Sequence, residues 1–329
     1  LYSSAASDVY KRQPQTDTRR RTRSQKSTAW FLTAPALALM VALLLAPVVC
    51  AVILSFTDYS LAAPEVQWVG FDNYEKLFTR SSYEKMLWAT FTYVAVVVPL
   101  SVGLGLGAAL LINSLARGKE FYKTIYFLPV MATLLAMAIV WELMLHPTIG
   151  IVNRTLEMGC GTVIEGLWPW LSHGCVNGMP LWLGDKDYAL WVVCFIGIWQ
   201  GFGFNMVLYL AGLTGVPRDL YGAAEMDGAR SGWERFRLVT WPALGPTTVF
   251  VVTITFIRSF QVFDTVEALF SQGGGPSKSA YMMMFAIYEK GIKQNLIGMG
   301  SAITVLFLIF VMFITIIQRR LTERKVHYS

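Results

Sequence analysis

Six predominantly apolar stretches of this chain run for 18 residues or more without Asp, Glu, Lys or Arg: 27–57, 86–116, 124–141, 188–217, 238–257 and 294–318. A helix that crosses a bilayer needs about 20 predominantly apolar residues, so each stretch predicts one span. The third and fifth are short, and reach that length by extending to Glu142 and past Arg258. The expected fold is all-α: a polytopic membrane protein with six transmembrane helices and both ends on one side. A transmembrane body over 29–318 follows a basic leader at 14–28 and precedes a tail at 319–329, with polar loops at 146–187 and 215–242. Residues 1–13, LYSSAASDVYKRQ, begin without Met and read like a translated library adapter, so a non-native artefact is expected there.

Composition strengthens the membrane reading. The chain is 55% hydrophobic and only 15% charged, against about 25% charged in soluble domains. Its net charge of +6 sits in short loops and tails between apolar runs. Membrane orientation accounts for that placement, and no nucleic-acid partner is expected. Sixteen Lys and Arg fall in the leader, 113–123, 215–242 and the tail, against eight in 58–85, 142–187 and 265–293. By the positive-inside rule both termini and the 215–242 loop are expected in the cytoplasm, with lipid around the body.

Chemistry within the chain is not expected. Gly273-Gly274-Gly275-Pro276-Ser277-Lys278-Ser279 superficially resembles a phosphate-binding loop, but it fails the G-x-x-x-x-G-K-[ST] spacing and lies on the expected outer side. There is no H-E-x-x-H and no His–carboxylate–Ser set, and the three His lack metal spacing. Catalytic residues, a metal and a resident cofactor are therefore all expected to be absent. Cys160 and Cys175, 15 apart in an expected outer loop, are a candidate disulfide, with free thiols as the alternative. Cys50 and Cys194 lie in spans and read as apolar packing, as do Gly103, Gly105 and Gly107, a small-residue strip for a helix neighbour. Asn153-Arg154-Thr155 matches a glycosylation sequon, a pattern of low specificity.

Two polar features remain. The 215–242 loop begins a short helix: Gly215 ends the preceding segment, Pro217 suits a first helical position and Asp219 favours the first turn. Gly222, Ala223, Ala224, Gly228 and Ala229 leave one side of that helix nearly bare. It reads either as a surface gripped by another protein or as a solvated connection. Within the spans, Trp199–Asn205 and Arg258–Asp264 bring amide and ionisable groups to membrane depth, where they are costly and face a bundle interior or a watery cavity. Gln261 and Asp264 are three apart and are expected to share a helix face beside Phe260 and Phe263. Such a cluster suits a carbohydrate, but the residues alone favour interhelical hydrogen bonding with aromatic packing.

Tyr221-Gly222-Ala223-Ala224-Glu225-Met226-Asp227-Gly228-Ala229, followed by Phe236, Leu238 and Pro242, resembles the EAA loop of permease subunits in bacterial ABC importers. The Asp-Gly-Ala version is similar to the carbohydrate-uptake branch. So are Val69–Tyr74, Arg117-Gly118-Lys119 with Phe127-Leu128-Pro129, Gly150–Asn153 and Gly274-Gly275-Pro276. Gly222 stands where the family has Glu, and Pro242 comes one residue late. The resemblance covers roughly 29–320.

That resemblance implies a type I ABC importer permease fold in a bacterial inner membrane. It implies that Gly222, Ala223, Ala224, Glu225, Asp227, Gly228 and Ala229 belong to a coupling helix seated on an ATPase. Matching through the Trp-x-Gly element and the Gly-Gly-Pro element carries the family's sugar positions onto Gln200, Gly201 and Phe204, and onto Phe260, Gln261 and Asp264. The matching third-span positions, Val130 and Leu134, are apolar. The implied partners are a second homologous permease, two ATP-binding subunits that hold ATP and Mg, and an external solute-binding protein. The expected function is carbohydrate import by alternating access. Importers of glycerol phosphate, amino acids or polyamines are the nearest alternative, and a stand-alone secondary transporter is the further one.

Overall fold

The computed structural model describes residues 18–61, 65–159, 179–270 and 273–323. The first helix, α1, runs over Thr18–Met40, passes a π turn at Val41–Leu45 and continues through Ala46–Leu54. The basic leader from Thr18 onward is thus part of the same helix as the first span. Up to Ile53 this helix forms a unit by itself, and Leu54–Ser329 forms a second. Cys160 and Cys175 lie outside the described residues.

In the second unit α2 (Asp72–Thr79) leads into α3 (Ser81–Ser114), a single span containing Pro99. The third predicted span is divided between α4 (Lys119–Met131) and α5 (Leu134–Met144), bent by 98° at the break. Pro129, which lacks a backbone donor, sits at the end of α4 just before that bend. A short α6 (Ile151–Gly159) precedes α7 (Lys186–Thr214), the fourth span. After the 215–242 loop the fifth span is again two helices, α10 (Gly245–Phe260) and α11 (Asp264–Phe270). The chain then passes α12 (Met283–Tyr288), a π turn at Glu289–Lys293, and the last span, α13 (Ile297–Glu323). Among the described residues five helices are long and apolar enough to cross a membrane, and six if the bent pair counts as one.

α3 and α7 form the spine. Near one end Met86, Tyr93, Val97, Val193 and Cys194 pack with Phe260, Phe285 and Ile303 in one buried cluster. Toward the other, Ala109, Ile112, Met206, Tyr209, Leu213 and Leu244 form a second. The two helices approach closely at Gly105, where a Cβ would lie 2.7 Å from that of Asn205. Among the described residues Gly103 and Gly107 have no atom within 4 Å of that position, so the expected three-glycine strip is corrected. Steps of two residues turn an α-helix by about 200°, which places 105 opposite 103 and 107.

Asn153 is buried and structural. Its amide donates to the Pro147 and Pro180 carbonyls, each at 3.2 Å, and its oxygen accepts from Trp182 Nε1 at 2.6 Å. The sequon's acceptor nitrogen is therefore already engaged inside the fold.

Candidate functional site

The polar groups of the fourth and fifth spans converge on a cavity of about 350 Å³. From α7 it is lined by Gly197, Gln200, Gly201, Phe204 and Asn205. α10 (Gly245–Phe260) brings Thr255, Arg258 and Ser259. The helix then stops: Gln261 takes φ −90°, ψ 12°, and α11 (Asp264–Phe270) begins three residues later. The expectation that Gln261 and Asp264 share one helix face is thus corrected. They flank a break, and Gln261, Val262, Phe263 and Asp264 all line the cavity. Irregular backbone at membrane depth is tolerated where it is buried in protein or faces a watery cavity, and this break does the second.

A relay of hydroxyls and one amide holds the cavity floor. Thr255 Oγ1 donates to Asn205 Oδ1 at 2.8 Å, and Asn205 Nδ2 donates to Ser101 Oγ at 3.4 Å. Ser259 Oγ is turned back on the Thr255 carbonyl at 2.8 Å. This is the interhelical hydrogen bonding that the polar pattern also allowed, and it ties α3, α7 and α10 together. Asn205→Leu leaves the buried Thr255 hydroxyl without its acceptor. We expect it to lower stability in detergent by about 1–2 kcal/mol, read as a shift in the thermal unfolding midpoint.

Of the predicted substrate residues, the structure brings Gln200, Gly201, Phe204, Gln261 and Asp264 to the cavity. Phe260 is not among them. It is 1% exposed, with Phe256, Phe91 and Phe307 as ring neighbours at 5.0, 6.1 and 6.3 Å. As the last helical residue before the break, it is turned into the core while Gln261 and Phe263 turn out. Val130 lines the wall. Tyr93, Ser101 and Thr255 also line it, and sequence reasoning missed them. The only signal they offered was a hydroxyl inside an otherwise apolar run.

The second candidate is the 215–242 loop. α8 (Arg218–Met226) starts one residue later than expected, with Pro217 as its extended N-cap. Its end is a Schellman motif. Gly228 N–H donates to the Glu225 carbonyl at 3.2 Å and Ala229 N–H to the Ala224 carbonyl at 2.9 Å, with Gly228 at φ +97°. Ala224 and Ala229 close the motif from inside, buried with Val216 and Val239. The small residues therefore do not share one bare side: Gly222, Ala223, Glu225, Asp227 and Gly228 face outward, and Ala224 and Ala229 face inward. Met226 is 89% exposed and Trp233 70%.

The loop continues through α9 (Gly232–Arg235), entered by a capping box. Ser231 Oγ accepts from Glu234 N–H at 3.1 Å, and the Glu234 carboxylate accepts from Ser231 N–H at 2.9 Å. That backbone donor holds the Glu234 carboxyl below its ordinary range. The chain passes a π turn at Phe236–Thr240 and Trp241–Ala243 before α10. Tyr221 Oη and Thr240 Oγ1 lie 3.0 Å apart, tying α8 to this return path. A stopped, anchored helix presents a fixed outward face.

Bent and broken spans around a mid-span cavity, with a rigid polar helix between two of them, define a membrane permease. Residues 101–327 match the family described as binding-protein-dependent transport system inner membrane component, and the chain belongs to it. A Bacillus subtilis protein named probable ABC transporter permease protein YesP is 31% identical over 286 residues, 86% of each chain. The sn-glycerol-3-phosphate transport system permease protein UgpA of Agrobacterium fabrum is 28% identical over 265 residues, covering 80% of this chain and 83% of that one. A chain of a bacterial ABC transporter that imports the acidic polysaccharide alginate superposes with a TM-score of 0.75. That match spans 92% of this chain and 99% of the other, and at 20% identity it shows the shared fold.

Proposed function

We propose that this permease carries a carbohydrate inward, powered by a separate ATPase. The observation that carries the reading is the mid-span cavity. Gln200, Gln261 and Asp264 line it without a side-chain partner among the described residues, next to the rings of Phe204 and Phe263. Amides and a carboxylate suit a rim of hydroxyls, and rings suit the apolar face of a sugar. Relatives named for glycerol phosphate and for alginate import support a polyhydroxylated cargo.

In this reading both termini and the 215–242 loop face the cytoplasm, and α8 is the coupling helix. ATP and Mg are held by two partner subunits, and this chain needs no cofactor of its own. A second, homologous permease supplies the facing wall of the pathway, and an external binding protein delivers the solute. ATP closes the ATPase pair, α8 moves with it, and the helices around the cavity open outward. Such coupling works only because each ligand favours one of the two states.

The test is capture of the tagged chain from gently solubilised native membranes, with its companions identified by mass. An ATP-binding subunit and a second permease are expected. A chain recovered alone, and active in vesicles without ATP, would replace this reading with a secondary transporter. Gln261→Ala and Asp264→Ala each delete a hydrogen-bonding group worth about 1–3 kcal/mol when buried against a ligand. Each is expected to change relative uptake among solutes roughly tenfold, and an unchanged solute profile in both would remove the cavity from consideration.

A further inference from the structure

We infer that Arg258 selects for an acidic group on the transported solute, an inference that rests on the carbohydrate reading above. Arg258 lies midway along the fifth span, Gly245–Phe270, and lines the cavity. A guanidinium at that depth is tolerated where it faces a watery cavity, and Arg258 is exposed to this one. Among the described residues Arg258 has no ion pair; its guanidinium carbon sits 3.9 Å from the centre of the Phe204 ring. The ring face attracts the cation, and the guanidinium keeps five N–H donors that match a carboxylate or a phosphate.

The remaining groups in the lining are mostly spoken for. Thr255 donates to Asn205, Asn205 to Ser101, and Ser259 to its own helix. That leaves Gln200, Gln261, Arg258 and Asp264, with the hydroxyls of Tyr93 and Thr265, to meet a solute. Arg258 contributes five N–H donors and each amide two, so donors outnumber acceptors. Asp264 is the other charge in the lining, exposed and without an ion pair to Arg258 among the described residues. It suits sugar hydroxyls. Arg258 is the group left uncompensated, and an acidic substituent completes the set. A neutral sugar of the same shape would displace water from Arg258 and supply no anion in its place.

The experiment uses the complete importer, recovered with the tagged chain and reconstituted with its binding protein. ATP-driven uptake is compared for an oligouronate and its carboxyl-reduced neutral counterpart, and for a sugar phosphate and its free sugar. The two pairs distinguish a carboxylate from a phosphate as the acidic group. The binding protein is the same in every arm, so a difference between permease variants reports the permease. In the wild type at least one acidic member is expected to enter about tenfold faster than its neutral partner. R258Q is expected to bring that ratio near one, and R258K to keep it within roughly threefold of wild type. An acid-to-neutral ratio near one in the wild type overturns the inference, whether or not R258Q assembles. So does a ratio that R258Q leaves unchanged. A wild-type importer that moves no carbohydrate of either kind, yet shows ATP-driven uptake of another solute, overturns the carbohydrate reading and this inference with it. A carbohydrate importer indifferent to acidity loses only the inference.

Discussion

Gly203→Ala is expected to destabilise this permease severely, although the same exchange inside a helix normally stabilises by about 1 kcal/mol. A Cβ at position 203 would lie 2.1 Å from the Tyr126 carbonyl oxygen and 3.3 Å from Val130 Cγ2. The first of these is backbone, so no rotamer relieves it. α4 and α7 must move apart, disturbing the Tyr126–Phe202 ring pair at 5.7 Å. Overpacking typically costs about 1–3 kcal/mol, and helix displacement adds to that. Native proteins hold only about 5–15 kcal/mol in total. Gly103→Ala, on α3 with open space around it, is the matched control. The check is the yield of monodisperse protein after solubilisation, with its thermal midpoint. A normal Gly203→Ala protein would mean that α4 does not cross α7 at this glycine.

The charge pattern located the spans well because lipid exposure leaves no substitute for apolar side chains. Where it misled, the cause was tertiary. Arg258–Asp264 contains neither Gly nor Pro, so nothing local announces that the helix stops at Phe260. The break exists because a cavity accepts the freed backbone. Phe260 and Phe263 were legible as a pair of rings, but only the break separates a core ring from a cavity ring. On α3, Tyr93, Ser101 and the packing glycine at 105 look like any other span residues. Their roles depend on facing α7, which a period of 3.6 cannot assign in a helix that is apolar all round. The loop was more legible. Asp227-Gly228-Ala229 carries its own stop signal, and the inward alanines complete it. What sequence could not supply was the division of its small residues between two faces.

Gly228→Val is expected to uncouple the transporter while leaving the chain in the membrane. Gly228 holds φ +97°, where a β-branched residue is strained by about 1–2 kcal/mol. Relieving that strain undoes the two hydrogen bonds that end α8 and withdraws Ala229 from its contact with Ala224 and Val239. The damage is confined to the 215–242 loop, because among the described residues nothing lies within 4 Å of the Gly228 Cβ position. Uptake should fall at least tenfold, with normal amounts of permease in the membrane fraction and loss of the captured ATPase subunit. Asp227→Arg separates backbone from charge. It keeps the helix stop and reverses one outward-facing carboxylate, and it too is expected to abolish uptake. Gly228→Asn is the permissive variant, since Asn tolerates the left-handed conformation, and it should retain much of the activity. Normal uptake in both Gly228→Val and Asp227→Arg would mean that α8 is a connection and not a coupling helix. Loss in Gly228→Val alone would assign the coupling to the shape of the loop and not to its charge.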